Sequence, residues 1–556
     1  MALVIKAGSR SKNDNKEYKM WVERLGVARK AREIQEVEWE RYLSYYKNQF
    51  STTASFRDSD EITVNQVFVL VNIYESVACA KDPYMYVRPR KPDTGPAAVV
   101  NESLLNYYWR ELGLKKMVRR ATKDAILCSF GCADLGYSAV FGNEDLVRRE
   151  GPYIRRLSPF DIWLDPDALY SGDEDEYFRI NREIWPFHLF KEKWPEAGKS
   201  VPLYKASYPG RRPTVQKTAT PISRDDDLAR VAVYRAQDLE SNELLWFCDG
   251  YDDFLLKKPN PYNVEGFLTE LLTFHEVPEE VYSMSVIRPA EGQQLELNKI
   301  RTSWMRHRKR FNRRYIHNAN AMTPEQKEIL KRGEDGSLCE VTDVRGVIPL
   351  QDASMPPDID LHENRIKEDW RDITVINEYL RSGQMGKTKT AYEASEIVAG
   401  SKLRLGTLIE DVRSFQSNIA RKLLQILQQY LPEPIVVQIA GSEGQNWVQF
   451  TREQIQGEFD VSIFSGEMLP PDRERERVLA ERFYQTFRPD PNVDQRKILR
   501  KALEMWGVPD PDGYIAQGQI SPFQAEGGGP GGRVSGGTQE GILKALRGGV
   551  APQEGT

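Results

Sequence analysis

Apolar residues recur at helical intervals through the first fifty positions, at Trp21, Leu25, Ala28, Ile34, Trp39, Tyr42 and Tyr46. Charged residues fill the gaps, so the pattern predicts one amphipathic helix over 15–50. Further helical stretches follow near 60–82 and 100–128. From about 134 the rhythm changes to short strand-like runs, "YSAVFG", "YIRRLSPFDIWLDP", "ARVAVYRA", "ELLWFCDG" and "DFLLKK", punctuated by Gly, Asp and Pro as in hairpins. Helices followed by strands in one region give an α+β class.

Two helical seams mark the middle of the chain. Leu297, Ile300, Trp304 and Phe311 form one stripe over about 290–312, and Ile359, Ile366, Trp370, Ile373 and Leu380 form another over about 358–381. The β-branched run 373–376 suits a strand when taken alone, but the flanking seven-four-three period favours helix. Between the seams, "TPEQ" predicts a short helix with Thr323 as N-cap, Pro324 in the first turn and Gln326 closing a capping box; Gly333 fits its C-cap. Strand-like "SLCEVT" and "GVIPL" follow it. A helix leaving the body, a small α/β insert and a returning helix is the simplest arrangement.

A very long helix over about 391–430 comes next, with Leu405, Leu408, Val412, Phe415, Ile419, Leu423, Ile426 and Tyr430 on its apolar side. Gly400 and Gly406 inside it predict a kink, since each costs about 1 kcal/mol relative to Ala. The strand-like runs "PIVVQI", "WVQFT" and "FDVSIFSG", helices near 472–488 and 493–506, and a Gly-rich tail complete the chain.

Composition narrows the chemistry. A length of 556 residues predicts two to four domains, and the net charge of -5 argues against a globally basic nucleic-acid binder while leaving room for local basic patches. Five scattered cysteines read as reduced thiols. The opening "MALVIKAGSRSKNDN" has too short an apolar run for a signal peptide, and no run of about 18 apolar residues suggests a membrane span. The expectation is a soluble intracellular product with no membrane partner. Asp161, Asp165, Asp167, Asp173, Glu174 and Asp175 cluster without calcium-loop spacing and read as an Asp-Pro turn followed by a solvated acidic loop. The five histidines stand apart from any nucleophile or paired carboxylate. No catalytic centre, metal site or cofactor is expected.

Gly386-Lys387-Thr388 in "LRSGQMGKTKTAYEAS" has the ending of a P-loop. That motif needs a glycine five places before Gly386, where this chain has Arg381, and a preceding buried strand, where this chain has an amphipathic helix. The better reading is a polar loop joining two helices. Gly383 and Gly386 supply hinges, while Gln384, Lys387, Thr388 and Lys389 can touch a polyanion's backbone without reading its sequence. A second basic group, Arg301, Arg306, Arg308, Lys309, Arg310, Arg313 and Arg314, crowds the end of the first middle helix. About half of these fit a solvated face pairing with Glu363, Glu368 and Asp369; the rest fit a positive belt.

The order helix, α/β insert, helix, polar loop, long helix resembles the portal proteins of tailed bacteriophages, with a size suggesting the short-tailed type. "YIRRLSPFDIWLDPDA" (153–168) and "AYEASEIVAGSKLRLGTLIEDVRSFQSNIARKLLQIL" (391–427) are similar to segments of that family, and the resemblance spans about 15–506. It implies a portal fold with a mainly helical wing, stem and crown and small β-containing wing and clip parts. The wing would be 1–286, the stem helices 287–312 and 358–381, and the clip 313–357. The tunnel loop would be 382–390, the long kinked helix with returning wing strands 391–466, the crown 467–520 and a Gly-rich tail 521–556.

The resemblance further implies a homo-oligomeric ring, usually of twelve subunits, at one capsid vertex of the virion, assembled in the host cytoplasm. Its partners would be double-stranded DNA bound without sequence preference, the terminase large subunit, a tail adaptor, and the major capsid and scaffolding proteins. It implies no enzymatic activity. The alternatives are an NTPase using Gly386-Lys387-Thr388 and another structural tail or baseplate component.

Overall fold

A computed structural model describes residues 12–50, 61–79, 83–91, 95–141, 147–172, 175–205, 229–311, 315–317, 323–332, 347–349, 358–376, 391–430, 435–441, 444–450, 455–463, 481–485, 487 and 495–506. The chain divides into two compact units, Met1–Pro471 and Asp472–Thr556. With 55% helix and 23% strand it is an α+β protein.

The first unit opens with α1 (Lys12–Tyr46), whose Tyr18, Trp21, Leu25, Ala28, Trp39 and Tyr42 are buried along one face. Ile34, expected on that face, is instead 74% exposed, and Arg32 takes the buried place at 2% exposure. Position 32 lies four after Ala28 and seven before Trp39, so helical geometry puts it in the seam whatever its polarity. Its guanidinium earns the position with hydrogen bonds to the carbonyls of Pro159, Phe160 and Ile162, an ion pair with Glu36 and a place 4.2 Å from the Trp163 ring centre.

Helix α2 (Gln66–Ala78) starts where the Asn65 side chain accepts the Phe68 N–H at 2.9 Å. Strand β1 (Met85–Pro89) follows. The stretch expected as one helix over 100–128 is two, α3 (Gly95–Glu111) and α4 (Leu114–Cys128). Gly113 divides them at φ 61°, a left-handed conformation that a helix interior cannot contain.

Strands β2 (Phe130–Phe141), β3 (Val147–Leu157), β4 (Ile162–Leu164) and β5 (Phe178–Pro186) come next, then a short helix α5 (Phe187–Lys193). Strands β6 (Tyr204–Lys205), β7 (Ala229–Asp238), β8 (Glu243–Cys248), β9 (Leu256–Pro259), β10 (Thr269–Thr273), β11 (His275–Val277) and β12 (Glu280–Met284) complete this half. They form a three-stranded sheet ordered β10-β2-β3 and a larger sheet ordered β4-β5-β7-β8-β9, with β6 on β7. Gly131 of β2 lets α4 approach closely, because a Cβ there would lie 2.1 Å from the Ala121 carbonyl oxygen.

Two guanidiniums join the sheets. Arg235 of β7 binds the fully buried Asp134 of β2, which also accepts from Arg155 at 2.9 Å. Arg179 of β5 pairs with Glu176 at 2.6 Å and donates to the Thr269 carbonyl of β10 at 2.7 Å. The acidic stretch after β4 is likewise structural rather than solvated. Asp161 pairs with Arg182 at 2.6 Å, Asp165 is 3% exposed and accepts the N–H groups of Asp167 and Tyr177, and Asp175 accepts that of Leu169. The chain turns sharply here, and these carboxylates meet amides that the turn leaves without carbonyl partners.

Next come α6 (Glu291–Phe311), β13 (Tyr315–His317), α7 (Pro324–Arg332), β14 (Val347–Pro349) and α8 (Asp358–Thr374). Helix α9 (Ala391–Tyr430) then runs unbroken for 40 residues through Gly400 and Gly406. Its Val412, Phe415, Ile419, Leu423 and Leu427 are buried in the core shared with α3, α4 and β2. Strands β15 (Ile435–Gly441) and β16 (Gly444–Phe450) pair with each other, and β17 (Phe459–Ile463) pairs antiparallel with β1, Met85 opposite Ile463. In the second unit, α10 (Gln495–Trp506) buries Ile498 and Ala502, one turn apart.

Asp411 on α9 gives the fold a pH signature. Burial, reinforced by Glu276 and Glu410, raises its pKa from 3.8 to about 6. The folded state therefore holds this proton more tightly than the unfolded chain does. Stability is greatest below about pH 4, falls as pH rises to about 6, and is flat above. Asp411→Asn should raise stability at pH 7 by about 1 kcal/mol, after allowance for solvent screening at a half-exposed site, and leave it unchanged at pH 4. Denaturant melts at the two pH values measure the difference.

Candidate functional site

The helix pair α6–α8 and the insert it carries hold the basic residues singled out in the sequence. The base of α6 is fixed first by α1. Glu291, in the first turn of α6, accepts from Tyr42 Oη at 3.3 Å and Tyr45 Oη at 3.1 Å and pairs with Arg41 at 3.1 Å. A carboxylate suits that position because the helix N-terminus carries partial positive charge. Burial and the Glu291 carboxylate push the Tyr45 phenol up to about 12 and the Tyr42 phenol further, so both stay protonated donors at physiological pH.

A polar ladder then clamps α6 to the extended segment before α2. Gln294 Oε1 accepts the N–H groups of Gln66 (2.8 Å) and Val67 (3.3 Å), and its Nε2 donates to the Val64 carbonyl (2.8 Å). Asn298 Oδ1 accepts from Val64 N–H at 2.9 Å and from Gln294 Nε2 at 3.1 Å. Thr302 Oγ1 accepts the Ile62 N–H at 3.2 Å. Residues 294, 298 and 302 are one turn apart on one face, so they meet an extended backbone much as a neighbouring strand would. The apolar reading of this helix overlooked the ladder, although the four-residue polar spacing was visible in "QLELNKIRT".

Helix α8 packs back along α6 through Ile366 and Trp370, each 5% exposed. Glu363, 7% exposed, takes Arg301 of α6 at 3.2 Å and Lys367 at 2.5 Å. Arg301 thus belongs to the paired half of the basic group, with Glu363 the partner expected from the sequence. Arg301 also lies 5.6 Å from the ring centre of Trp304, which is 38% exposed and so only partly in the predicted stripe.

Beyond this point Arg306 and Arg308 are exposed on α6. Lys309 and Arg310 continue the helix, and Arg313 and Arg314 lie outside the described residues. The insert begins with β13 paired antiparallel to β14, Tyr315 opposite Pro349. "GVIPL" therefore pairs with the segment just after α6, while "SLCEVT" lies outside the described residues. The capping box at α7 is present on both arms, with Gln326 Oε1 accepting the Thr323 N–H at 2.8 Å and Thr323 Oγ1 accepting the Gln326 N–H at 3.4 Å.

Helix α8 ends at Thr374, earlier than the expected 381. Val375 has φ 58°, a costly conformation for a β-branched residue. The surroundings hold it there: Tyr74 Oη donates to the Thr374 carbonyl, and Ile376 is 3% exposed in the core. The loop residues Gly383, Gln384, Gly386, Lys387, Thr388 and Lys389 lie outside the described residues. An added Cβ at Gly406 would meet nothing within 4 Å, so packing does not demand glycine there.

Chemically, exposed arginines on a helix braced at its base can contact an extended polyanion but form no closed pocket. Among the described residues no group of His, Cys, Asp or Glu is arranged to hold a metal ion, and no helix is long and apolar enough to cross a membrane.

The ladder makes a direct prediction. Gln294→Ala should cost about 1–3 kcal/mol and expose the amides of Val64, Gln66 and Val67 to faster hydrogen exchange. The exchange rates of those three amides, compared with core strand β7, measure the effect. No protein-family model matches the chain, and no curated protein shows significant similarity to it.

Proposed function

We propose that this chain is a phage portal protein. In this reading its copies form a ring at one capsid vertex, through which double-stranded DNA passes during packaging and ejection. The insert between α6 and α8 would dock the terminase motor and later the tail adaptor. The chain would carry no catalytic step itself, the energy coming from the motor's ATPase.

The observation that carries the reading is one excursion of the chain. Helix α6 leaves a β-containing body, a small insert with a paired neck and one capped helix follows, and α8 returns in ion-pair contact with α6. The 40-residue α9 then crosses the body and delivers β17 to β1. The segment 382–390 joins the returning helix to the long one, and its lysines would meet the phosphates of a duplex in the ring's channel. Such contacts must be weak enough to slide, because tight phosphate binding would stall translocation.

Electron micrographs of the purified chain should show rings with a central hole of duplex width. Discrete particles without a hole would overturn the reading. The double variant Lys387→Ala/Lys389→Ala should keep the ring and reduce packaged or retained DNA several-fold. Saturable ATP binding lost in Lys387→Ala alone would instead support the NTPase alternative.

A further inference from the structure

Helix α1 has a second apolar row, on the side turned away from the body. Met20 is 41% exposed, Val27 51%, Ile34 74% and Val37 63%. The first three are seven apart, so they lie along one line of the helix with a drift of about 20° per step, and Val37 adjoins Ile34. Single exposed apolar residues are ordinary. A row about 25 Å long on one helix is a surface shaped to be covered. The charged residues on the same side, Glu23 and Lys30, are exposed and of opposite sign.

We propose that this row is where a second copy of the chain docks, α1 against α1, antiparallel about a two-fold axis at Val27. In that arrangement Met20 faces Ile34 of the second copy, Val27 faces its own counterpart, and Glu23 faces Lys30 of the second copy in both directions. A parallel pairing would set Glu23 against Glu23 and Lys30 against Lys30, so the charges select the antiparallel one. A two-fold contact is self-complementary and cannot be the repeating contact of a single ring. It joins free chains, or chains of two different rings, and does not depend on the portal reading. One helix row falls short of the roughly 1,200 Å² of a stable interface, so the pair is reversible and concentration-dependent.

Cysteine crosslinking of the full chain tests the geometry. Val27→Cys should form a disulfide-linked dimer under mild oxidation, because the two thiols meet at the axis. The wild-type chain, with its native cysteines, should not. Glu40→Cys, exposed on the same helix but about 40 Å from its counterpart in this pairing, should not either. Adding Ile34→Asp to Val27→Cys should reduce the crosslinked fraction at least ten-fold with an unchanged melting temperature.

The proposal is overturned if Val27→Cys crosslinks no more than Glu40→Cys, or if Ile34→Asp leaves the crosslink intact. It is overturned equally if Ile34→Asp lowers the melting temperature by several degrees, because the row would then be covered by the chain's own residues. Rings seen without the crosslink sink this contact alone, and the crosslink seen without rings sinks the portal reading alone.

Discussion

Arg32 holds three backbone carbonyls of the 158–163 segment with one buried guanidinium, and the same solution recurs through the molecule. Extended backbone buried beside a helix has no neighbouring strand to meet its N–H and C=O groups, and each group left unmet costs about 1–3 kcal/mol. Here helix side chains take the strand's place. Gln294, Asn298 and Thr302 serve residues 62–67. Asn106 bonds both the N–H and the C=O of Met85, and Glu102 accepts the Val87 N–H. Gln428 donates to the carbonyls of Ile455 and Gly457, and Gln429 to that of Pro261. Polar residues on buried helix faces thus fix where the connecting segments run.

This constraint explains how the α6–α8 pair can project an insert and stay aligned with the body. Helix α6 is tied at its first turn to α1 through Glu291 and along its next two turns to residues 62–67. Helix α8 is tied to α6 by Glu363 and to α2 by the Tyr74 hydroxyl. The exposed Arg306 and Arg308 therefore sit on a helix whose root has little freedom. Their placement is set by the same polar ladders that satisfy the backbone.

Apolar periodicity made the long helices legible, because α1, α6 and α9 each bury a continuous seam. The capping box at Thr323 and Gln326 was legible for the same kind of reason, a local rule with local residues. What escaped was decided by distant partners. Arg32 and Ile34 exchange the roles their polarity suggests because guanidinium acceptors come from residues 159–162, far along the chain. Strand β5, "FRINREIWP", carries two arginines and a glutamate and showed no strand pattern, yet Arg179 and Arg182 are buried or half-buried against Glu176 and Asp161. The end of α8 at Thr374 also went unseen, because Val375 is held in its left-handed conformation by packing rather than by its own preference. For the candidate site, Arg301 and its partner Glu363 could be read from the sequence, whereas the ladder on α6 could not be read from apolar spacing alone.

The pairing of β1 with β17 has a consequence during synthesis. About 370 residues separate the two strands, so at 5–20 residues per second β1 waits roughly 20–70 s on the ribosome before its partner is made. Asn106 and Glu102 of α3 emerge within seconds and can cover one edge of β1 early. The other edge stays open until the long helix has been translated, a ready template for pairing with another nascent chain. The final step of folding is therefore a closure between the chain's first strand and its last, and the interval before it is when the protein is most exposed to misassembly.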